Sequence, residues 1–466
     1  MGDRLTMTIY LRSLGCDKNL VDSEIMLGLL YEAGYKSAPD PSLADIIVVN
    51  TCGFIQEAVE EGIETILELS ANKTEGCCKA LIVTGCMAQR YRDEIAAEIP
   101  EVDAILGVNN FPKIVETAAE ILANAGHEAY NQNILRDKRQ RQDNTVLDEE
   151  LVLDEELFAK RVGTMPMHVA YIKISEGCDN HCTYCTIPSI RGSYRDRTIE
   201  SIVTECERLV KGGARELVLV AQDTARYGTA LYGRPRLHDL LKKLAALEDL
   251  VWVRVMYAYP EHIYPELIDT ISRWDKVCSY LDMPIQHSHD GVISRMGRKS
   301  TNEGLRLLIT GLREKGIAIR TTLIAGFPGE TEEEFDNLCR FVTEAGFDHM
   351  GVFVYSQEDG TPAAAMKPQI KGAVKKVRQE KLMALQAQIA EKNLQAMVGQ
   401  VLKVMIDGSV GEEDDKIIYS GRSERDAYDI DGAVFFPSPV EWMSGDCVNV
   451  KITKAKGYDM YGELCQ

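Results

Sequence analysis

The chain has 466 residues, too many for one ordinary core, so two to four domains are expected. Its composition, 45% hydrophobic and 27% charged, is that of a soluble globular protein, and no apolar run approaches the roughly 18 residues that would span a bilayer. A formal net charge of −20 opposes sequence-independent binding to phosphate backbones and favours a basic partner.

The amino terminus carries Asp3 and Arg4 and no long apolar segment, which argues against a secretory signal and for a cytoplasmic protein. Its formal match to a myristoylation pattern is too short to carry weight. Thirteen cysteines in a reducing compartment point to metal ligation rather than disulfides.

From Met1 to about residue 135, apolar runs at Ile9–Leu14, Ile46–Val49, Leu81–Val83 and Ala104–Leu106 alternate with segments of helical period near Val21–Ala33, Phe54–Ser70, Ala88–Glu98 and Pro112–Asn124. This alternation predicts a small parallel α/β (Rossmann-like) sheet. Cys16 follows Gly15, Cys52 precedes Gly53 and Cys86 follows Gly85, each where a strand gives way to the next helix. In a parallel sheet those strand ends share a rim, so three distant thiolates can converge there, and the glycines let backbone approach a bulky inorganic group. The alternative is ordinary buried cysteine. Cys77 and Cys78 precede the third strand and are read as non-ligands.

Residues 136–166 are highly charged without a clean strand or helix face and read as a linker, partly ordered against its neighbours. Its basic portion, Arg136–Arg141, is a solvated charge run in preference to an RNA contact.

From 167 to 396, six β-like runs (Val169–Ser175, Leu217–Ala221, Trp252–Ala258, Tyr280–Ile285, Ile319–Ala325, Gly351–Tyr355) alternate with helical stretches near Ile199–Lys211, Leu237–Leu247, Pro265–Arg273, Asn302–Lys315 and Glu332–Ala345. Six βα repeats predict a partial (β/α)6 barrel, with its chemistry at the strands' carboxyl ends. Directly after the first run stands Cys178-Asp-Asn-His-Cys-Thr-Tyr-Cys185, a C-x3-C-x2-C loop. Three thiolates on one loop can hold three irons of a cubane and leave the fourth open for a substrate or cofactor. The alternative, a zinc knuckle with His181, is awkward because His181 adjoins Cys182.

Other strand ends nominate cofactor or substrate contacts: Gln222 and Asp223, Tyr257 and Tyr259, Gln286 and His287, and the turn Gly326-Phe-Pro-Gly-Glu-Thr331. That turn either passes close to a ligand or simply starts a helix through a Thr331/Glu334 capping box. His287 and His289 read as hydrogen-bonding scaffold. Arg191, Arg195 and Arg197 either hold a carboxylate or pair with the acidic surface. Cys206, Cys278 and Cys339 read as packing residues.

From 397 onward, short alternating runs separated by Gly, Asp and Pro predict a small antiparallel β-barrel. From residue 398 this tail has 7 Lys and Arg against 13 Asp and Glu, or −6, which suits it poorly to oligonucleotides. Cys447 and Cys465 lie here without ligand spacing.

The Cys178–Cys185 loop, with Tyr184 before its last cysteine, resembles the signature of radical SAM (S-adenosylmethionine) enzymes. With the first cysteine triad and the tail, the chain resembles the radical SAM methylthiotransferases, which have an N-terminal cluster domain, a radical SAM barrel and a C-terminal TRAM barrel. The resemblance implies two [4Fe-4S] clusters, one on Cys16, Cys52 and Cys86 and one on Cys178, Cys182 and Cys185, with SAM on the latter near Tyr184 and Gln222. No catalytic residue is implied beyond the cluster ligands. Ser13-Leu-Gly-Cys-Asp-Lys-Asn-Leu-Val-Asp-Ser-Glu24, Tyr280-Leu-Asp-Met-Pro-Ile-Gln-His287 and Asp426-Ala-Tyr-Asp-Ile-Asp-Gly432 resemble the branch acting on a ribosomal protein rather than on tRNA adenosine. That branch implies methylthiolation of an aspartate β-carbon in the small-subunit ribosomal protein numbered twelve, with two SAM and a sulfur donor. One SAM gives the methyl group, the other a hydrogen-abstracting radical, and a flavodoxin-like or ferredoxin-like donor gives the electron. The rival readings are the tRNA-modifying enzyme and, from another class, a non-catalytic iron–sulfur RNA-binding protein.

Overall fold

Runs such as Ile46-Ile-Val-Val-Asn-Thr51, buried at every position, suit a parallel sheet covered on both faces. In the computed structural model, which describes residues 7–124, 153 and 155–465, the chain divides into two compact units. The first holds Met1–Thr164, Glu176–Asp179 and Cys185–Ser201, and the second Met165–Ser175, Asn180–Tyr184 and Ile202–Gln466. The myristoylation-like start and the basic run Arg136–Arg141 lie outside the described residues.

The first unit contains a five-stranded parallel sheet in the order Lys36–Ser37, Thr8–Ser13, Ile46–Thr51, Ala80–Gly85, Ala104–Leu106. The four expected strands are present. The two-residue edge strand was hidden by its shortness and polarity. The expected helix Ala88–Glu98 is two, Cys86–Arg90 and Arg92–Glu98, because Tyr91 leaves the helical region (φ −118°, ψ 35°). Past residue 154, the expected linker packs: Glu155–Ala159 is helical, Phe158 lies buried 3.3 Å beneath the Arg197 guanidinium, and the buried Arg161 pairs with Glu24.

The second unit contains an open six-stranded parallel sheet in the order His349–Val354, Ala318–Ala325, Val277–Asp282, Trp252–Val255, Glu216–Val220, Val169–Lys173. All five expected helices form, within two residues at each end. The sequence reading missed the 24-residue helix Gly372–Gln395. Its inner face mixes Leu382 and Ala390 with Arg378 and Gln386, whose Nε2 donates to the Phe347 carbonyl at 3.0 Å, so it shows no clean apolar stripe.

Val401–Glu413, Lys416–Arg422, Val434–Ser438, Cys447–Lys456 and Asp459–Leu464 close into a barrel. It is not wholly antiparallel: Val434 and Phe435 pair parallel with Met460 and Tyr461. A closed ring of five strands cannot alternate direction throughout, so one neighbouring pair must be parallel. The barrel attaches through ions. Arg422 bonds Glu216 (2.7 Å) and Asp407, Arg254 bonds Glu216 (2.7 Å), His168 meets Asp407 (2.9 Å), and the Tyr280 hydroxyl donates to Asp431 (2.8 Å). Glu216 opens its strand, so the attachment lies away from the carboxyl ends.

Candidate functional site

In the first unit the register levels the strand ends: Ser13 pairs with Asn50 and Thr51 with Gly85. Cys52 and Cys86 therefore leave neighbouring strands side by side, and Cys16 joins them at the start of the helix Asp17–Glu32. Gly15 has φ +86°, and a Cβ there would lie 2.6 Å from Cys52 Cβ and 3.1 Å from its sulfur. Gly85 has φ +96°, and its Cβ would lie 2.3 Å from the Thr51 carbonyl oxygen. Only glycine permits these approaches.

Cys52 lies within electrostatic reach of Cys16, and Cys86 of both. Burial raises Cys52 above its ordinary value, with Cys16 adding to the rise and Arg191 opposing it. Burial pushes Cys86 up to about 12, against the pull of Arg191. Burial thus favours the neutral thiol of Cys86, and bonding to a cation would offset the cost of its thiolate. Among the described residues no group of three or more His, Cys, Asp or Glu side chains could hold a single metal ion. Three thiols from three strand ends match a cluster that offers each a separate iron. Cys77 and Cys78 stand at the amino end of Ala80–Gly85, about 20 Å of strand away.

Side chains that the sequence reading did not single out hold this rim. Asn19 Nδ2 donates to the Leu14 and Thr51 carbonyls at 3.1 and 3.0 Å, while its Oδ1 lies 3.7 Å from Cys86 Sγ. Asn50 Nδ2 donates to the Asn19 carbonyl and to Ser23 Oγ, both at 2.8 Å. Buried polar residues on the face of Asp17–Glu32 that should be apolar were the available signal. Arg191 faces neither solvent nor the acidic surface. It is buried, donates to Asn19 Oδ1 at 2.5 Å and pairs with Glu176 (2.9 Å) and Asp22 (3.4 Å).

The Cys178–Cys185 loop follows the strand Val169–Lys173. In the first unit, the Cys178 amide donates to the Gly192 carbonyl (3.1 Å) and the Ile187 amide to Cys185 Sγ (3.5 Å). In the second, Asn180 Nδ2 donates to Asp223 (3.1 Å), and Cys182 Sγ stands 3.1 Å from the Tyr259 hydroxyl. Asp223 also takes His262 Nδ1 at 2.6 Å, and the Arg298 guanidinium covers the Tyr259 ring at 3.9 Å. Tyr184 packs edge-on against Phe327 of the Gly326 turn, His181 is exposed, and Gln222 follows the strand Glu216–Val220. Tyr257 (φ 58°) and Gln286 (φ 66°) are held in left-handed conformations just past neighbouring strands, at a cost of about 1–3 kcal/mol each.

The remaining candidates have structural partners. The Thr331/Glu334 capping box is present, and Glu334 also binds Arg295 at 2.8 Å. His287 lies 3.5 Å from Glu330, and His289 is the N-cap of a short helix. Arg195 reaches Asn109, and Arg197 reaches Ser201. Cys206, Cys278 and Cys339 are buried.

An open parallel sheet whose first strand runs into a C-x3-C-x2-C loop, with residues 172–342 matching the Radical SAM superfamily, defines a radical SAM enzyme. Residues 8–107 match the family described as "Uncharacterized protein family UPF0004" and 398–465 the TRAM domain. The chain is 48% identical over 98% of its length to "Ribosomal protein uS12 methylthiotransferase RimO" of Lachnoclostridium phytofermentans (99% of that protein). It is 46% identical to the proteins of that name from Trichlorobacter lovleyi (100% of both) and Geobacter sulfurreducens (97% of both). The chain belongs to the RimO family of methylthiotransferases. Its fold is similar to two structures of the radical SAM methyltransferase TsrM from Kitasatospora setae, each at 14% identity. One, with cobalamin and a [4Fe-4S] cluster, gives a TM-score of 0.54 over 77% of each chain. The other, with tryptophan and a SAM analogue, gives 0.52 over 87% of this chain and 79% of that one. Among the described residues no helix is long and apolar enough to cross a membrane.

Proposed function

We propose that this enzyme methylthiolates the β-carbon of an aspartate in ribosomal protein uS12, consuming two SAM and a sulfur donor. Cys16, Cys52 and Cys86 would hold one [4Fe-4S] cluster, and Cys178, Cys182 and Cys185 another that binds SAM. The observation that carries the reading is the gathering of Cys16, Cys52 and Cys86 at level strand ends, Cys86 buried and the other two half-buried, within reach of each other's charge. When bound, the two clusters supply the electron that cleaves SAM and the site from which sulfur is delivered. The β-carbon hydrogen is not acidic enough for a side-chain base, which is why the reading assigns no general base to this chain.

The chain's own residues hold and shield. Asn19 and Asn50 fix the rim, burial of Cys86 keeps water from its sulfur, and the Tyr259 hydroxyl, 3.1 Å from Cys182 Sγ, would donate to that sulfur as a thiolate ligand. Tyr184 and Gln222 are the proposed SAM contacts. The acidic carboxyl-terminal barrel and the net charge of −20 suit a basic ribosomal partner in the cytoplasm, with a flavodoxin-like or ferredoxin-like reductant. The test is mass spectrometry of uS12 and of tRNA from a strain lacking this chain. Loss of a methylthio group from uS12 alone is expected; loss from tRNA alone overturns the reading.

A further inference from the structure

The short helix Ile187–Arg191 begins two residues after Cys185 and ends beside the other triad. Its Ile190 packs with Cys86 and Val108. Its Arg191 side chain is a full positive charge within electrostatic range of Cys16, Cys52 and Cys86, and it donates to Asn19 Oδ1, which lies 3.7 Å from Cys86 Sγ. A guanidinium offers five N–H groups in a fixed fork. Here one terminal nitrogen meets Glu176 and Asp22, while the other meets Asn19 Oδ1, the atom 3.7 Å from the Cys86 sulfur. Two carboxylates so placed orient the group and together carry one more charge than it does, so removing Arg191 would leave both of them unopposed beside the triad. A guanidinium stays protonated in proteins, so the charge is a fixed one.

We infer that Arg191 is a positioning residue for the cluster on Cys16, Cys52 and Cys86: it stabilises that cluster's added negative charge and so raises its reduction potential. The inference rests on the proposed ligand set. The reason is electrostatic. A cubane on three thiolates gains one negative charge on reduction, and in a buried site a fixed guanidinium close by favours the reduced form. Net charge and hydrogen bonds to sulfur are established determinants of such potentials.

The test uses the full-length chain with Cys178, Cys182 and Cys185 all changed to Ala, so that only the first triad can load. This parent, its Arg191→Lys and its Arg191→Met forms are reconstituted anaerobically with ferrous iron and sulfide, assayed for iron, and titrated by electron paramagnetic resonance. Arg191→Met is expected to lower the reduced-to-oxidised ratio at fixed potential at least tenfold, about 59 mV for one electron. Arg191→Lys, which keeps a charge without the fork, should fall between. An Arg191→Met form that loads fully at the parent's potential overturns the inference, as does Arg191→Lys falling as far as Arg191→Met with its iron intact. Should Arg191→Met fail to load, the Lys form decides, a potential equal to the parent's overturning the inference. A parent that binds no iron overturns the ligand assignment itself.

Discussion

Glu216 and Arg422 stand 206 residues apart in sequence and meet at 2.7 Å, with 0% and 3% of their side chains exposed. Glu216 opens the strand next to one edge of the parallel sheet and also takes Arg254 at 2.7 Å, so one carboxylate serves two guanidinium groups and ties the carboxyl-terminal barrel to the sheet. Glu216→Gln keeps the shape and removes the charge, leaving two buried cations short of a partner. A loss of about 3–5 kcal/mol is expected, read as a lowered urea midpoint. Wild-type stability would show that water enters the junction.

The same junction predicts an acid transition. Burial alone would raise the Glu216 carboxyl, but Arg254 and Arg422 outweigh it and hold it below the usual carboxylate range. Asp407 and Asp431 are likewise lowered despite burial, by His168 with Arg422 and by His349 with Arg320. Asp426, raised by burial, acts with the opposite sign. Because the three lowered groups release protons more readily folded than unfolded, their stabilisation is present above about pH 4 and lost as pH falls through their folded values. Thermal unfolding from pH 6 to 3 should show the decline, and Glu216→Gln should flatten it.

Gly15→Ala tests the cradle of the first triad. It places a Cβ 2.6 Å from that of Cys52 in a backbone conformation that costs an L-residue about 1–2 kcal/mol. Iron content of the reconstituted chain should fall by about half, the share of one of the two proposed clusters. Full iron would mean that Cys52 is not a ligand.

The two triads are separable by product. Cys182→Ala should abolish SAM cleavage, whereas Cys52→Ala should leave some cleavage and no methylthiolation. Measured 5′-deoxyadenosine and the mass of uS12 check the two together. Full product formation by Cys52→Ala would end the two-cluster reading.

Tyr259→Phe removes the hydroxyl 3.1 Å from Cys182 Sγ and keeps the ring beneath Arg298. A hydrogen bond to a charged sulfur contributes about 1.5–3 kcal/mol, so SAM cleavage should slow roughly tenfold while iron content holds. An unchanged rate would assign Tyr259 to packing alone.

By itself the sequence determined the strands and the cysteines. Period, β-branched runs and glycines beside Cys16, Cys52 and Cys86 are local signals, and local signals survive in a linear text. The tertiary structure decided what depends on pairing across long separations. It brought Arg191 to Asn19 across 172 residues and Arg161 to Glu24 across 137. It covered the helix Gly372–Gln395 through side-chain bonds where an apolar stripe was absent, and it turned one pair of a five-membered ring parallel. A buried charge is written in the chain as an ordinary charged residue, and only folding, by removing its water, obliges it to find a partner.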